Sequence, residues 1–387
     1  MVIANEPEAT SLQSPARKSV EPSPCGSYSD ASGIGHRMCK CTLNPLSACR
    51  RASSASLRNA LYAIAALLGF IVTASSASAQ EQVKIGVGYG LAFLPDYICQ
   101  DLKLVEKYAK ALHLDVKANY ERFQGAGPMQ DALASGAIDM APYGAAPLLL
   151  AWEKTKNTSR QIVAVSGIAT LPMVLLSNRA DVHSIADLSA SDRIAIPTLS
   201  APQMYFLQMQ SQRTFGKYDR LRRQVVALSP AEALAALFSG TGSVTAAFAS
   251  PPYTEIALKD EDIHPILRSE EVIGGKASFL VMAATSAYVA AHPKIPEVID
   301  KAMDEAARMI RDDPRRAAQI YLAHEPSKAL NAADVDAVLR DNEDEFGSAV
   351  AGIQAFADFL SWHGALKMPP KSWKDIVVPA LLNSPSG

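Results

Sequence analysis

The residues best suited to chemistry in this sequence lie in a short segment at positions 136–147, GAIDMAPYGAAP. An apolar run ends there at a proline, followed by a tyrosine, three small residues and a second proline. Either the segment is only a tight turn, or the small residues let a ligand reach the backbone N–H groups of Gly144, Ala145 and Ala146. The second reading predicts binding chemistry, with Pro147 beginning a helix at a position that needs no donor.

Catalytic motifs are not visible. The histidines beyond residue 80 are scattered, and no H-E-x-x-H or G-x-S-x-G segment occurs. Asp139 follows an apolar residue in a predicted strand, where capping or pairing is expected rather than catalysis. Cys99 is the only cysteine after residue 49, so no internal disulfide is expected beyond that point. We therefore expect no enzyme, no metal and no cofactor.

The elements around the opening segment alternate short apolar strands with amphipathic helices, which is typical of α/β domains. VKIGVGY, from Val83 to Tyr89, is predicted as a strand and DYICQDLKLVEKYAKALHL as one helix. That helix is indicated by apolar residues spaced at three and four positions: Ile98, Leu102, Val105, Tyr108 and Leu112. A strand DVKANYERF, a glycine turn QGAG and a helix PMQDALASG then lead to the opening segment.

The same order of elements returns about a hundred residues later, which indicates an internal repeat. It includes a strand DRIAIPT, a helix APQMYFLQMQSQRTFG and a strand VTAAFA that runs into SPPY. ALASG (132–136) and ALFSG (236–240) close equivalent helices. In open α/β sheets ligands bind outside the carboxyl ends of the strands, so the two proline-led segments are expected to face one cleft.

This order predicts two lobes of like topology, each a mainly parallel sheet flanked by helices, with a hinge between them. Residues 80–170 are assigned to the first part of lobe one, 171–276 to lobe two and 277–387 to the return into lobe one. One helix of the return has a single apolar face: Ile295, Val298, Ile299, Met303, Ala306 and Ile310. The later C-terminal helices are expected to pack on lobe one.

Residues 50–79 have the pattern of a secretory signal peptide. Arg50, Arg51 and Arg58 precede the apolar run 61–72, and small residues lead to Ala79. The run is too short to span a bilayer of about 30 Å, so a membrane anchor is the less favoured alternative. Residues 1–49 are rich in Ser, Pro, Ala and Gly, and are predicted to be either disordered or the product of an incorrect start codon.

The charge of the exported part excludes some partners. From residue 80 onward the chain has 30 basic and 35 acidic residues, a net charge of −5. An acidic balance argues against nucleic acid or an anionic membrane surface as a partner.

The two lobes, the signal peptide and the helical return together resemble the periplasmic substrate-binding proteins of ABC importers. Within these, the chain is similar to the nitrate/sulfonate/taurine group, the NMT1/THI5-like family. The resemblance rests on RFQGAGPMQDALASGAIDMAPYGAAPL, SIADLSASDRIAIPTLSAP and FLVMAATSAYVAAHP. One departure is Ser191-Asp192, where the family usually has a Gly-Lys pair, and it is expected to change only a surface turn.

The resemblance implies a two-lobed, type II-like periplasmic binding protein fold, with a ligand held between lobes that close by a hinge motion. It points to five loops: residues 89–94, QGAG, PYGA, TLSAPQ and SPPY. The candidate ligand-binding residues in these loops are Tyr89, Phe93, Gln124, Gly125, Ala126, Gly127, Tyr143, Gly144, Ala145, Ser200, Gln203, Ser250 and Tyr253.

Each kind of candidate also has a purely structural alternative. The glycines of QGAG either let a ligand approach the backbone or make a tight turn. Tyr143 and Tyr253 either present their rings to the cleft or pack half-buried at strand ends. Gln203 either hydrogen-bonds a ligand or faces solvent, and Phe93 and Met204 either line the site or belong to the core.

The charge of the five loops bears on the ligand, because none of them contains Lys, Arg or His. A small inorganic anion such as nitrate usually requires such a residue or several N–H donors. Arg122, two residues before QGAG, is the nearest cation, on a strand where an arginine more often faces solvent. The loops favour a larger organic ligand, with a sulfonate or carboxylate on helix N-termini as the alternative.

The resemblance thus implies a periplasmic monomer that captures a small sulfonate, carboxylate or aromatic or heterocyclic compound and delivers it to an ABC permease in the inner membrane. A second possibility is an enzyme or pyrimidine-precursor-binding protein like the thiamine-pyrimidine synthesis proteins of the same fold. The enzyme would need a Cys or His cluster near the cleft. A third is a ligand-sensing receptor domain, which would carry a fused signalling or DNA-binding segment, and none is visible in the sequence.

Overall fold

The computed structural model describes residues 80–383, so the predicted extension and signal peptide lie outside the described residues. The described strands are β1 (Glu81–Val87), β2 (Val116–Arg122), β3 (Met140–Tyr143), β4 (Ile162–Ala169), β5 (Val174–Ser177), β6 (Ile194–Ile196), β7 (Val225–Ala227), β8 (Ala246–Ala249), β9 (His264–Arg268) and β10 (Leu280–Thr285). Within this range, no helix is both long and apolar enough to cross a membrane.

The α-helices are numbered in the same way. They are α1 (Leu94–Leu102), α2 (Leu104–Ala111), α3 (Ala126–Ser135), α4 (Ala145–Lys154), α5 (Pro202–Phe215), α6 (Pro230–Phe238), α7 (Tyr253–Ala257), α8 (Ser269–Ile273), α9 (Ser286–Ala291), α10 (Ile295–Asp312), α11 (Pro314–His324), α12 (Ala332–Asp341) and α13 (Ile353–Trp362).

The strands form two five-stranded sheets with the same layout. The first has the order β2-β1-β3-β10-β4 and the second the order β7-β6-β8-β5-β9. In each sheet the first three strands are parallel, and the fourth runs antiparallel to both of its neighbours. That antiparallel strand is the one that arrives from the other sheet, β10 in the first and β5 in the second. The predicted α/β class with a repeated topology is confirmed.

We call the first sheet with its helices the first lobe, and the second sheet with its helices the second lobe. The chain passes to the second lobe between Ala169 and Val174 and returns between Ile273 and Leu280. A loop that precedes α13, residues 344–352, contacts both crossings, and we call it the strap. Its Glu345 carbonyl accepts from Thr170 N–H at 2.7 Å, and its Ala351 carbonyl accepts from Ser278 N–H at 3.0 Å.

The helix predicted over residues 96–114 is interrupted. Lys103 has a left-handed φ of 52° and divides the segment into α1 and α2. Its backbone N–H donates to the carbonyl of Cys99, which closes the end of α1. The interruption lets the next turn bury Leu104 and Val105. The expectation of one continuous helix was therefore wrong at a single residue.

The apolar face predicted for α10 is confirmed. All six residues that define it, from Ile295 to Ile310, are buried. The helix packs against α1, α2 and β4 of the first lobe. Because burial contributes about 25 cal/mol per Å² of apolar surface, this face is a principal source of the stability of the first lobe.

The last helix, α13, packs against both lobes instead of the first lobe alone. It lies on α4 of the first lobe. Its Phe356 ring meets Phe206 of α5 edge-on, with centroids 5.3 Å apart. Its Phe359 ring meets Tyr218 of the second lobe at 6.4 Å. The sequence did not indicate this second contact, because aromatic spacing within a helix does not say which neighbour the rings will meet.

Candidate functional site

A cavity of about 450 Å³ lies where the two lobes meet. The second lobe lines it with residues of α6 and with Tyr253 and Ile256 of α7. The first lobe lines it with Tyr321 of α11 and with the turn that follows, residues 325–330. The wall is mainly apolar and aromatic, with a few polar groups, which suits a small organic molecule. We call this space the interlobe cavity.

Tyr253 is a predicted ligand contact that lines the interlobe cavity. It begins α7, and its N–H donates to the carbonyl of Ser250, another candidate, at 2.9 Å. Burial raises the pKa of the Tyr253 hydroxyl, and the negative charge of Glu325 raises it further. The hydroxyl therefore stays protonated near neutral pH and can donate a hydrogen bond into the cavity.

Arg122, at the end of β2, packs on the candidate Tyr89 and on Tyr97, which the sequence did not indicate. Its guanidinium carbon lies 4.8 Å from the ring centroid of Tyr89 and 4.8 Å from that of Tyr97. Gln124 Nε2 donates to the Tyr89 hydroxyl at 3.0 Å, and Arg122 donates to the carbonyl of His324 at 3.0 Å. We call these five residues the arginine cluster. Arg122, though exposed, thus packs on aromatic rings beside the predicted loops and supplies the charge that the loops themselves lack.

Glu325 occupies a position between the arginine cluster and the interlobe cavity that the sequence did not indicate. It follows α11 directly, and its Oε1 accepts hydrogen bonds from Gly90 N–H and from the Tyr97 hydroxyl, both at 2.5 Å. Gly90 and Glu325 are 235 residues apart in the chain. The one signal that could have drawn attention is a carboxylate directly before Pro326, where a helix is expected to end.

The aromatic hydroxyls around Glu325 keep their protons. Burial, then the charge of Glu325, raises the pKa of both Tyr97 and Tyr321. The ring of His324 stacks on the ring of Tyr97, with their centroids 4.5 Å apart. This end of the cavity therefore combines one carboxylate with neutral hydroxyl donors.

Gly144 and Ala145 lie where the lobes touch. Helix α4 begins at Ala145, so the expectation that Pro147 begins it was wrong by two residues. Gly144 is its N-cap, and both it and Ala145 are buried. A β-carbon on Gly144 would lie 2.6 Å from Cγ of Pro202, at the start of α5 in the second lobe. Here the small residue makes room for the opposite lobe.

Gln203 and Tyr143 are buried near this contact. Gln203 is 4% exposed, so the alternative that it faces solvent was wrong, and its Oε1 has no hydrogen-bond partner in residues 80–383. Tyr143 is also 4% exposed and pairs with Val281 of β10. Burial, then Asp131, raises the pKa of Tyr143 to about 12. Met204 is 2% exposed and belongs to the core.

The remaining candidates lie at the surface of the loops. Helix α3 begins at Ala126, so Ala126 and Gly127 form its first turn and Gly125 is its N-cap. Ser200 is exposed before α5, and Phe93 is half-buried at the start of α1. These positions do not decide which side chains contact a ligand, and that assignment stays a prediction.

The described residues offer no obvious metal chemistry. In residues 80–383 no group of three or more His, Cys, Asp or Glu side chains is placed to hold a metal ion. The Cys99 thiol is buried within the first lobe, and burial raises its pKa. What the two lobes bring together is a set of hydrogen-bonding and aromatic groups suited to binding.

A profile of the NMT1-like family matches residues 76–323. The chain belongs to this family. The matched stretch includes every strand of both sheets and Arg122, and it ends just before His324 and Glu325. No curated protein matches the chain.

Solved structures share the fold of this NMT1-like protein at low sequence identity. The alkanesulfonate-binding protein SsuA of Xanthomonas axonopodis pv. citri, bound to MOPS, is similar with a TM-score of 0.59 and 20% identity, over 79% of this chain and 99% of that one. The aliphatic sulphonate-binding protein SsuA of Escherichia coli gives a TM-score of 0.59 and 17% identity, over 77% and 97%.

A third similar structure is the CA3427 gene product of Candida albicans, described as having the generic periplasmic binding protein fold. Its TM-score is 0.56 at 15% identity, over 79% of this chain and 96% of that one. At such identities the likeness shows the fold and leaves the ligand open. The NMT1-like protein thus has the periplasmic binding protein fold that its sequence predicted.

Proposed function

We propose that this protein captures a small organic ligand between its two lobes in the periplasm and delivers it to the permease of an ABC importer. The observation that carries the proposal is the interlobe cavity of about 450 Å³, which is lined by both lobes. A ligand that contacts both lobes stabilises their closed arrangement, and a permease can then distinguish the loaded protein from the empty one.

Three further observations support this function. The family and the fold are those of periplasmic binding proteins. Residues 50–79 have the pattern of an export signal. The cavity wall is apolar and aromatic, which favours an organic body over a bare inorganic anion. Sulfonates, carboxylates and aromatic or heterocyclic compounds all remain ligand candidates, and the protein is expected to act as a monomer.

The proposed function is tested by a thermal-shift screen of the purified protein over sulfonates, aromatic acids, ureides, pyrimidines and amines. A compound present at 100 times its Kd should stabilise the folded state by about 2.7 kcal/mol. Mass spectrometry of the same samples should find the compound unchanged. Turnover of a compound that binds, or a mature protein found only in the cytoplasm, would contradict the proposal.

Two apolar residues of the second lobe provide a matched pair of variants. Phe238 and Leu258 are both exposed, at 43% and 40%, but only Phe238 of the two lines the cavity. Phe238→Ala should weaken binding of the compound found in the screen by about tenfold, as expected for the loss of about 1.4 kcal/mol of contact. Leu258→Ala should leave the affinity unchanged. Equal effects of the two variants would place the ligand elsewhere.

A further inference from the structure

The two oxygens of the Glu325 carboxylate have different surroundings. Oε1 is fixed by Gly90 N–H and the Tyr97 hydroxyl. Oε2 has the Tyr321 hydroxyl at 3.4 Å, which is long for an O–H···O bond. A carboxylate offers about four acceptor positions. Since Glu325 and Tyr321 both line the interlobe cavity, Oε2 retains acceptor capacity beside the ligand space.

Glu325 has no ion-pair partner within residues 80–383. Arg122, the cation of the arginine cluster, lies over the Tyr97 ring and directs hydrogen bonds to His324. Lys328 lines the same cavity but is exposed and does not pair with Glu325. A partly buried carboxylate is stabilised by a positive group, which leaves that role to a ligand in the cavity.

The opposite wall is apolar. Leu234, Ala235 and Phe238 of α6 and Ile256 of α7 face the cavity from the second lobe, with the Tyr253 hydroxyl as a donor among them. A molecule that fits both walls has an apolar body and a positive end. An anion placed there would instead lie beside the negative charge of Glu325 and be repelled by it.

We infer that Glu325 selects ligands with an ammonium or amidinium group attached to an apolar body. This inference rests on the proposed function, because it assigns a ligand class to the same cavity. It goes beyond the family match, since Glu325 lies outside residues 76–323. It also separates this protein from the sulfonate-binding proteins whose fold it shares, because a sulfonate would be repelled at this position.

The test uses three probes of nearly the same shape: benzamidine, which is cationic, benzamide, which is neutral, and benzoate, which is anionic. Their affinities are measured by titration calorimetry at neutral pH and low salt for the protein and for Glu325→Gln. The glutamine keeps the side-chain size and an oxygen that can accept from Gly90 and Tyr97, but removes the charge. We expect the protein to bind benzamidine at least tenfold more tightly than benzamide, and the variant to bind the two within about twofold.

The control is Glu297→Gln, which removes one negative charge from the exposed Glu297–Lys301 pair of α10. It should keep the full preference for benzamidine. If benzoate binds and benzamidine does not, or if Glu325→Gln keeps the preference, the inference is wrong while the proposed function stands. If no probe binds and a metabolite extract produces no thermal shift, the proposed function fails together with the inference.

Discussion

Pro202 packs against Gly144 so closely that a β-carbon on Gly144 would lie 2.6 Å from Pro202 Cγ. The two residues begin or precede equivalent helices, α4 in the first lobe and α5 in the second. Their contact is made across the lobe boundary, and it explains why a glycine follows Tyr143. The backbone of Gly144, with φ −69° and ψ 155°, would accept any residue, so the requirement for glycine comes from the space that Pro202 occupies.

Gly144→Ala should therefore force the lobes apart. Overpacking of this kind costs about 1–3 kcal/mol, and the variant should melt at a lower temperature and have a larger radius of gyration by small-angle X-ray scattering. Adding Pro202→Ala removes the ring atom that clashes and should restore both quantities. A single variant as stable and as compact as the unchanged protein would show that the contact is not limiting.

Glu345 of the strap links the two crossings between lobes. Its Oε2 accepts from Thr170 Oγ1 at 2.6 Å, and its Oε1 lies 2.9 Å from Lys276 Nζ. Glu345→Ala should lower the free energy of unfolding by about 1–2 kcal/mol, because the hydrogen bond and part of the ion pair are lost. Urea denaturation provides the measurement, and Glu297→Ala, at an exposed pair on α10, is the control. Equal losses in the two variants would argue against a linking role.

Stability should depend on pH through Asp96. This residue is fully buried in α1, neither carboxylate oxygen has a partner in residues 80–383, and burial raises its pKa to about 8. The folded state therefore holds a proton that the unfolded chain releases near pH 4. The stabilisation is complete below about pH 4 and is lost as the pH rises towards 8, by up to about 1.4 kcal/mol per unit.

Asp96→Asn separates this effect from that of Asp300, whose pKa is raised to about 6 by burial and then by Asp304. Asp300 acts in the same direction, but its contribution is lost mainly between about pH 4 and 6. Below pH 6 the variant should keep only the part of the decrease that comes from Asp300, and between pH 6 and 8 it should lose the decrease. Urea denaturation at pH 4.5, 6 and 7.5 measures this, and an unchanged slope above pH 6 would refute the role of Asp96.

Arg122 should support the arginine cluster through its flat guanidinium. Arg122→Lys keeps the charge but loses the planar contact with Tyr89 and Tyr97, which at exposed sites is worth about 0.5–1 kcal/mol for each ring. The free energy of unfolding should fall by about 1 kcal/mol. Arg223→Lys, at an exposed position before β7, should change it little. If both substitutions are neutral in denaturation experiments, the stacking is incidental.

The sequence by itself determined the features that depend on neighbouring residues. Spacing at three and four positions identified the buried face of α10, and repeated strand and helix patterns identified two sheets of the same layout. Proline and glycine marked the loops after β3 and β8. These signals are local because hydrophobic periodicity records which side of one element faces the core. The same logic missed the break at Lys103, where one left-handed residue interrupts an otherwise regular pattern.

Only the tertiary structure showed which distant residues the loops contact. Glu325 contacts Gly90 and Tyr97 although more than two hundred residues separate them from it, and the Arg122 guanidinium lies over the rings of two tyrosines from different elements. Glycine is needed at position 144 because Pro202 of the other lobe packs against it. Such contacts depend on how whole lobes pack, and no periodicity along the chain encodes which surfaces will face each other. The sequence therefore showed that the loops lack cations, but it did not show that the Glu325 carboxylate lies beside the cavity.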